Sequence, residues 1–400
     1  MKHAPVTLLT VWYEGSERLK AGRLAIRERR ILFEYDPRFV ASGSDISPFE
    51  LPLRTGVREA RRDPFDGLFG VFADSLPDGW GRLLLDRAVE RHGIRRGQLS
   101  PLDRLAFVGG NGMGALSYEP DYGGELWHRG EETEISLDRI AEESRIVLAG
   151  DTEEVFDDLL RLNGSSGGAR PKIVAQVSAN RQAIVHGGGS LEPGYEHWMI
   201  KFSSSQDSRA AGAIEYAYSL MAATAGVEMP PTHLFRTRRG AYFGARRFDR
   251  KGNRRIHMHS LAGLIHADYR YPGLDYDTYL KTVMILTRNM AEVQKAYALA
   301  CFNVLAHNRD DHARNFSFLL GDDRRWALAP AYDLTFSDGP NGEQSMLLLG
   351  EGREPGIEGL AELGKRHGIR KSKQIVERVR SAIDQWMKFS TEAGVTKKMA

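Results

Sequence analysis

Three polar residues in the last third of the chain, Asp310, Asn315 and Asp333, have the types and spacing that phosphoryl transfer from a nucleotide requires. An Asp can orient a hydroxyl nucleophile, while an Asn five positions later and an Asp one hairpin further on can hold Mg²⁺ against the phosphates. The first two lie in a polar knot, Asn308-Arg309-Asp310-Asp311-His312-Ala313-Arg314-Asn315, set between an apolar helical run and a short apolar strand, Phe316–Leu320. A charged turn and a second short run lead on to Ala331-Tyr332-Asp333. Polar residues caught between apolar segments are costly to bury without a purpose, which favours a functional loop over a solvated connection.

Phosphates need a cradle as well as a cation. Leu162-Asn163-Gly164-Ser165-Ser166-Gly167-Gly168-Ala169-Arg170-Pro171-Lys172 places three glycines and two serines ahead of a strand-like run. Such a loop can turn backbone N–H groups toward phosphate oxygens, with Arg170 or Lys172 nearby. It lacks the Gly-Lys-Ser/Thr ending of a Walker loop, so the glycine-rich loop of a kinase is the closer type and an ordinary hairpin the bland one. Trp198-Met199-Ile200-Lys201-Phe202 then sets one lysine in a compact apolar strand. Its stem is expected to be buried, and its ammonium either snorkels out or reaches the phosphates. Glu215, on a helix predicted over 210–225, is a partner for Lys201 in a kinase arrangement. Arg247-Phe248-Asp249-Arg250 fits a crossing between two lobes beside an adenine.

The elements that would position these groups follow from periodicity. Alternation over 6–13, 23–26 and 31–35 predicts a small antiparallel sheet within 1–60, either a docking or regulatory surface or a cover over the core. Leu76-Pro77-Asp78-Gly79-Trp80-Gly81-Arg82 starts a helix carrying Leu83, Leu84, Leu85 and Val89, and its glycines flanking Trp80 read as a packing motif before a catalytic one. Glycines at 109, 110, 112 and 114 make a turn with unusual dihedrals. Their order matches neither a P-loop nor a dinucleotide fingerprint. Beyond 246 the pattern is mostly helical. A helix capped by Ser260 is expected to begin around His257-Met258-His259, whose His-x-His pair is a weak zinc signal without further ligands. Further helices are predicted over 277–286, 289–306 and 372–390. The division expected is 1–60, a small β subdomain; 61–245, connecting helices and an N-lobe with the glycine-rich loop; and 246–400, a helical C-lobe with the catalytic loop.

Composition bounds the rest. The 400 residues are 42% hydrophobic and 27% charged, ordinary for a globular protein with two or three structural units. A net charge of +2, from 55 basic and 53 acidic side chains, argues against a surface coated for nucleic acid. A single cysteine, Cys301, excludes an internal disulfide and a cysteine-rich zinc site and fits a reducing compartment. The first residues lack the shape of a signal peptide, and no stretch is long and apolar enough to span a bilayer, so a cytoplasmic location is expected.

With Gly168-Ala169-Arg170-Pro171-Lys172, the Asn308–Ser317 segment and Pro330-Ala331-Tyr332-Asp333 in this order, the chain resembles the HipA-type serine/threonine kinases, the toxin component of bacterial toxin–antitoxin pairs. The resemblance extends to the N-terminal sheet, the Leu76–Arg82 segment and the Gly109–Leu116 turn. It implies an α+β, atypical two-lobed protein-kinase-like fold, β-rich at the N-terminus and mostly helical at the C-terminus. It also implies ATP and Mg²⁺ as cofactors. By position, Asp310 is the catalytic aspartate and Asn315 and Asp333 are the Mg²⁺ ligands. Lys201, His312 and the Gly164, Ser165, Ser166, Gly167, Gly168 and Ala169 run are nucleotide-binding residues. Ser165, with Ser166 as its immediate rival, sits where the family autophosphorylates itself. The implied partners are a small DNA-binding antitoxin, with DNA reached only through it, and a protein substrate, a glutamyl-tRNA synthetase in the best-known members. Arg314, where lysine is common, and Arg170-Pro171, where a glutamine with an acidic residue is frequent, depart from the family pattern.

Three other readings use the same residues. A kinase-like phosphotransferase acting on a small molecule would need a closed acceptor pocket beside Asp310. A non-catalytic nucleotide-binding regulatory protein would keep the site without the transfer. A metal hydrolase would need His307, Asp310, Asp311 and His312 to converge.

Overall fold

The computed structural model describes residues 4–123, 134–150, 159, 162, 168, 170–187, 189–204 and 207–395. An N-terminal antiparallel sheet comprises β1 (Leu8–Glu14), β2 (Arg18–Arg27), β3 (Arg30–Tyr35), β4 (Val57–Glu59) and β5 (Leu116–Glu119), in the order β4-β3-β2-β1-β5. The period-two alternation read from the sequence sends Leu9, Val11, Leu24, Phe33 and Tyr35 into one core, where they meet Leu102 and Leu105 of the Pro101–Val108 helix. The sheet takes its fifth strand, β5, from well beyond residue 60.

A second antiparallel sheet, in the order β7-β6-β8-β10-β9, is built from β6 (Lys172–Ser178), β7 (Ile184–His186), β8 (Tyr195–Lys201), β9 (Thr232–Arg236) and β10 (Ala241–Arg246). Its faces have different occupants. Ile173, Ala175, Val177, Trp198 and Ile200 pack against Trp80 and Leu84 of the Gly79–Arg91 helix and against the Leu137–Ala149 helix. The intervening residues, among them Lys172, Met199, Lys201 and Phe243, line a cleft on the other face. β6 is buried along almost its whole length, including the polar Lys172 and Gln176 on the cleft face.

The C-terminal part is mostly helical and packs around the Met290–Leu305 helix, which is buried nearly all round. Two expectations shift here. The His257–Ser260 segment is a strand paired with Ser317–Leu320, and the helix begins only after Ser260, whose Oγ accepts the Gly263 N–H at 3.0 Å. The helix read over 372–390 is two helices, Ser372–Ile383 and Trp386–Ala393. The break lets Trp386 turn its indole against Tyr218, 5.6 Å between ring centroids. None of the described helices is long and apolar enough to cross a membrane.

Candidate active site

Lys201 ends β8 on the cleft face, and its Nζ donates to Glu215 Oε1 at 2.5 Å and to Asp333 Oδ1 at 2.6 Å. Glu215 comes from the buried side of the Ala211–Thr224 helix, so one ammonium ties the sheet, that helix and the segment around Asp333 together. Burial alone would lower the Lys201 pKa, but Asp333 and Glu215 outweigh it and hold the group above its ordinary value. Burial likewise works against ionisation of Asp333, and Lys201 and Lys172 hold its carboxyl well below the usual range. Asp333 sits at φ 59°, in the left-handed region that Asp tolerates better than most residues.

The 308–315 loop is fixed from beneath by a residue that does not face the cleft. Asp311 is fully buried, and Oδ1 accepts the N–H groups of Ser345 and Met346 at 2.9 and 3.1 Å. Its Oδ2 accepts from Gln344 at 2.9 Å and from the Tyr276 hydroxyl. With Asp311 turned inward, its neighbour Asp310 is exposed at the rim of an open pocket lined by Tyr269, Arg270, His312, Ser337 and Ser345. Partial desolvation of the Asp310 carboxyl, with Asp333 nearby, raises its pKa against the pull of His312, Arg170 and Lys201. Asn315 donates from Nδ2 to the Asp310 carbonyl at 2.8 Å, which leaves its Oδ1 as the atom available to a cation. Tyr332 braces this turn by donating to the Arg314 carbonyl at 2.6 Å.

His307, Asp310, Asp311 and His312 therefore do not converge as a hydrolase would need. Asp311 faces the interior and His307 is exposed with its ring 6.5 Å from that of Phe336. Among the described residues no three His, Cys, Asp or Glu side chains form a cation site. Asn315 and Asp333 alone suit Mg²⁺, which commonly takes one or two protein ligands and completes its shell with water and nucleotide phosphates. His257 and His259 spend their Nε2 atoms elsewhere, on the Ile46 carbonyl at 2.9 Å and the Ser47 hydroxyl at 3.1 Å.

At the crossing between lobes, Arg247, Phe248 and Asp249 line the cleft as the sequence suggested. Asp249 is fully buried and accepts from Arg247, Arg250 and the Gly114 N–H. The glycine turn before β5 cradles a cation: Arg255 donates to the carbonyls of Gly110, Gly112, Gly114 and Leu116.

Gly164, Ser165, Ser166, Gly167 and Ala169 lie outside the described residues. Gly168 lies within them and lines the cleft, as do Lys201, His312, Asn315 and Asp333. Sequence reasoning undervalued two residues. Lys172 was only a neighbour of the loop, yet it is 4% exposed and directly opposite Lys201 in the β6–β8 register, which period-two alternation within the run starting at Lys172 could have shown. Asp78 reads as part of a helix start, yet it lines the cleft and bonds Gly168 and Arg314. No local signal points from Asp78 to partners 90 and 236 residues away.

The comparisons with known proteins agree with this architecture. The sequence matches the family described as HipA-like C-terminal domain over residues 164–387, and the HipA N-terminal domain over residues 9–119. The "Putative kinase Y4dM" of Sinorhizobium fredii (strain NGR234) is 26% identical over 151 residues, 34% of this chain and 36% of that protein. The chain thus matches about a third of that relative's length. A solved structure of the Shewanella oneidensis MR-1 toxin–antitoxin system, HipA with HipB and operator DNA, shares the fold with a TM-score of 0.68 at 19% identity, over 96% of this chain and 91% of that one. With the C-terminal match alone spanning more than half of its residues, the chain belongs to the HipA family.

Proposed function

We propose that this protein is a Mg²⁺- and ATP-dependent serine/threonine protein kinase that acts as the toxin of a toxin–antitoxin pair and limits itself by autophosphorylation at Ser165 or Ser166. The observation that carries the reading is the double contact of Lys201 with Glu215 and Asp333, at 2.5 and 2.6 Å. Kinases use a strand lysine, a helix glutamate and a metal-binding aspartate in this relation to seat a nucleotide triphosphate.

Mg²⁺ would offset charge on the transferring phosphoryl group, with Asn315 Oδ1 and Asp333 as its protein ligands. Lys201 would hold the phosphates from the sheet side, with Gly168 of the glycine-rich segment near them. Asp310, exposed at the open rim, orients the acceptor hydroxyl and takes its proton as the new P–O bond forms and the β–γ bridging bond breaks, releasing ADP. Its raised pKa suits that role.

The acceptor side favours a macromolecule over a small metabolite. The pocket at Asp310 is open, and Tyr271 and Phe336, each next in sequence to a residue that lines it, are 71% and 53% exposed. Large exposed aromatic residues around an open mouth suit a protein segment. By analogy with the family, an aminoacyl-tRNA synthetase is the first acceptor to test. The Shewanella relative was solved with HipB and operator DNA. That assembly supports a small DNA-binding antitoxin as partner here, with DNA reached through it.

Incubation with labelled ATP and Mg²⁺, followed by phosphosite mapping, tests the reading. Label on Ser165 or Ser166 and on a protein acceptor is the expected result. Nucleotide binding with no transfer to itself or to a broad set of acceptors would replace it with the regulatory reading.

A further inference from the structure

We infer that Asp78, from the N-terminal part of the chain, is a positioning residue of the phosphate site, a role that rests on the kinase reading above. One carboxylate fixes the Gly168 end of the glycine-rich segment relative to the catalytic loop. Oδ1 accepts the backbone N–H of Gly168, and Oδ2 accepts from Arg314 Nη1 at 2.5 Å. The same turn grips Gly168 a second time, through the Trp80 N–H and the Gly168 carbonyl at 3.1 Å.

Two features separate this from ordinary helix capping. Asp78 occupies the N-cap position of the Gly79–Arg91 helix, where an Asp normally accepts from its own first turn, but its side chain makes no such bond. Both oxygens serve other units instead. Gly168 also holds a backbone conformation that residues with a side chain rarely adopt. It sits at φ 99°, and a Cβ there would lie 2.4 Å from Lys172 Nζ, so its backbone crosses close over that lysine.

The far end of the clamp is equally fixed. Arg314 Nη2 donates to the Ala73 carbonyl at 2.8 Å, and its guanidinium lies 4.8 Å from the Tyr269 ring centroid. The next residue is Asn315, which is bonded back to Asp310. Trp80, 2% exposed against the second sheet, anchors the turn that carries Asp78. A rigid path thus runs from Gly168 through Asp78 and Arg314 to the Asp310–Asn315 loop. Arginine suits the central position because its fork reaches Asp78 and Ala73 together, where a lysine has one point of charge.

The test uses the full chain as wild type, Asp78→Asn, Asp78→Ala, Arg314→Ala and the Asp78→Ala/Arg314→Ala double variant. Two quantities are read: kcat and KM for ATP, and hydrogen exchange at the Gly168 amide without nucleotide. Misplacing a phosphate-positioning group by about 1 Å can cost roughly 10²-fold, so Asp78→Ala should lower kcat/KM by about that factor, shared between KM and kcat. Asp78→Asn, which keeps an acceptor for Gly168, should fall between, and the double variant should be little worse than Asp78→Ala. Gly168 exchange should rise in Asp78→Ala. A folded Asp78→Ala protein with wild-type kinetics and unchanged exchange would overturn the inference. If wild type transfers no phosphate, the kinase reading fails, and exchange alone decides the clamp: faster in Asp78→Ala upholds it, unchanged refutes it.

Discussion

Lys172 and Lys201 stand directly opposite each other on adjacent antiparallel strands, both on the cleft face of the second sheet. Burial and the Lys201 charge push the Lys172 ammonium down to about 8. Lys201 is held charged by two carboxylates, whereas Lys172 lies beneath Gly168. Two like charges at this separation oppose folding; Asp333, Glu215 and Asp78 offset part of that repulsion, and nucleotide phosphates would offset more. Lys201→Met should therefore lower phosphoryl transfer by roughly 10²-fold or more, in the range seen on deleting a group that stabilises transition-state charge. Lys172→Met should act mainly on nucleotide binding, raising KM for ATP with a smaller change in kcat. Steady-state kinetics over a range of ATP concentrations distinguish the two. Equal effects on kcat would show that the lysines share one role.

Asp310 and Asp311 are neighbours with opposite surroundings, the first exposed and the second buried. Replacing Asp310 by Asn should lower transfer by about 10²- to 10⁴-fold, the usual span for a general base, with nucleotide affinity nearly unchanged. Isothermal titration with a non-hydrolysable ATP analogue, set beside the transfer rate, reads both quantities. Transfer at the wild-type rate would remove Asp310 from the mechanism.

Asp311→Ala should instead damage the fold. It strands the N–H groups of Ser345 and Met346, the Gln344 amide and the Tyr276 hydroxyl in a dry interior. Losing one partner from a buried network of this kind costs about 3 kcal/mol or more, to be measured as a loss in urea unfolding free energy. Asp311→Asn keeps one acceptor oxygen for the Ser345 and Met346 N–H groups and should cost less than Ala, though its amide NH2 faces donors on the other side. Comparable losses from Ala and Asn would point to the charge as the stabilising feature.

The sequence made the grouping of Asn315, Asp333 and Lys201 around one cleft legible because they sit on short, strongly patterned segments. Strand alternation places Lys201, and the long apolar Met290–Leu305 helix delivers the catalytic loop to a fixed point. The fold class was legible for the same reason. Contacts that close the site over long separations were not. Asp78 meets Gly168 and Arg314 only once three units have assembled, and a lone Asp before a helix reads as a cap. The segment over 257–260 misled because a strand of alternating His and Met, followed by a true Ser260 cap, has the look of a helix start. Its pairing with Ser317–Leu320 overrides local preference.

That strand also predicts how acid acts on the molecule. His257 is 1% exposed, and burial, with His259 beside it, pushes its pKa down to about 3. Its Nε2 donates to the Ile46 carbonyl at 2.9 Å while Nδ1 has no partner, the pattern of a neutral ring. The rings of Tyr13 and Trp326 lie 6.0 and 5.7 Å away, so the residue joins the N-terminal unit to the C-terminal one. A depressed histidine contributes stability that is complete above its unfolded pKa of about 6.5 and is lost as pH falls from there toward 3. Between pH 7 and pH 5 the loss from this ring alone should be about 2 kcal/mol. His197, pushed down to about 4 by burial and the Arg247 and Arg250 charges, adds to the same trend. His257→Gln keeps a donor for Ile46 but cannot titrate. Its unfolding free energy should therefore fall less steeply over that interval, by about the same 2 kcal/mol, when both proteins are unfolded in urea at each pH. Parallel wild-type and variant profiles would mean that His257 is not the group that titrates.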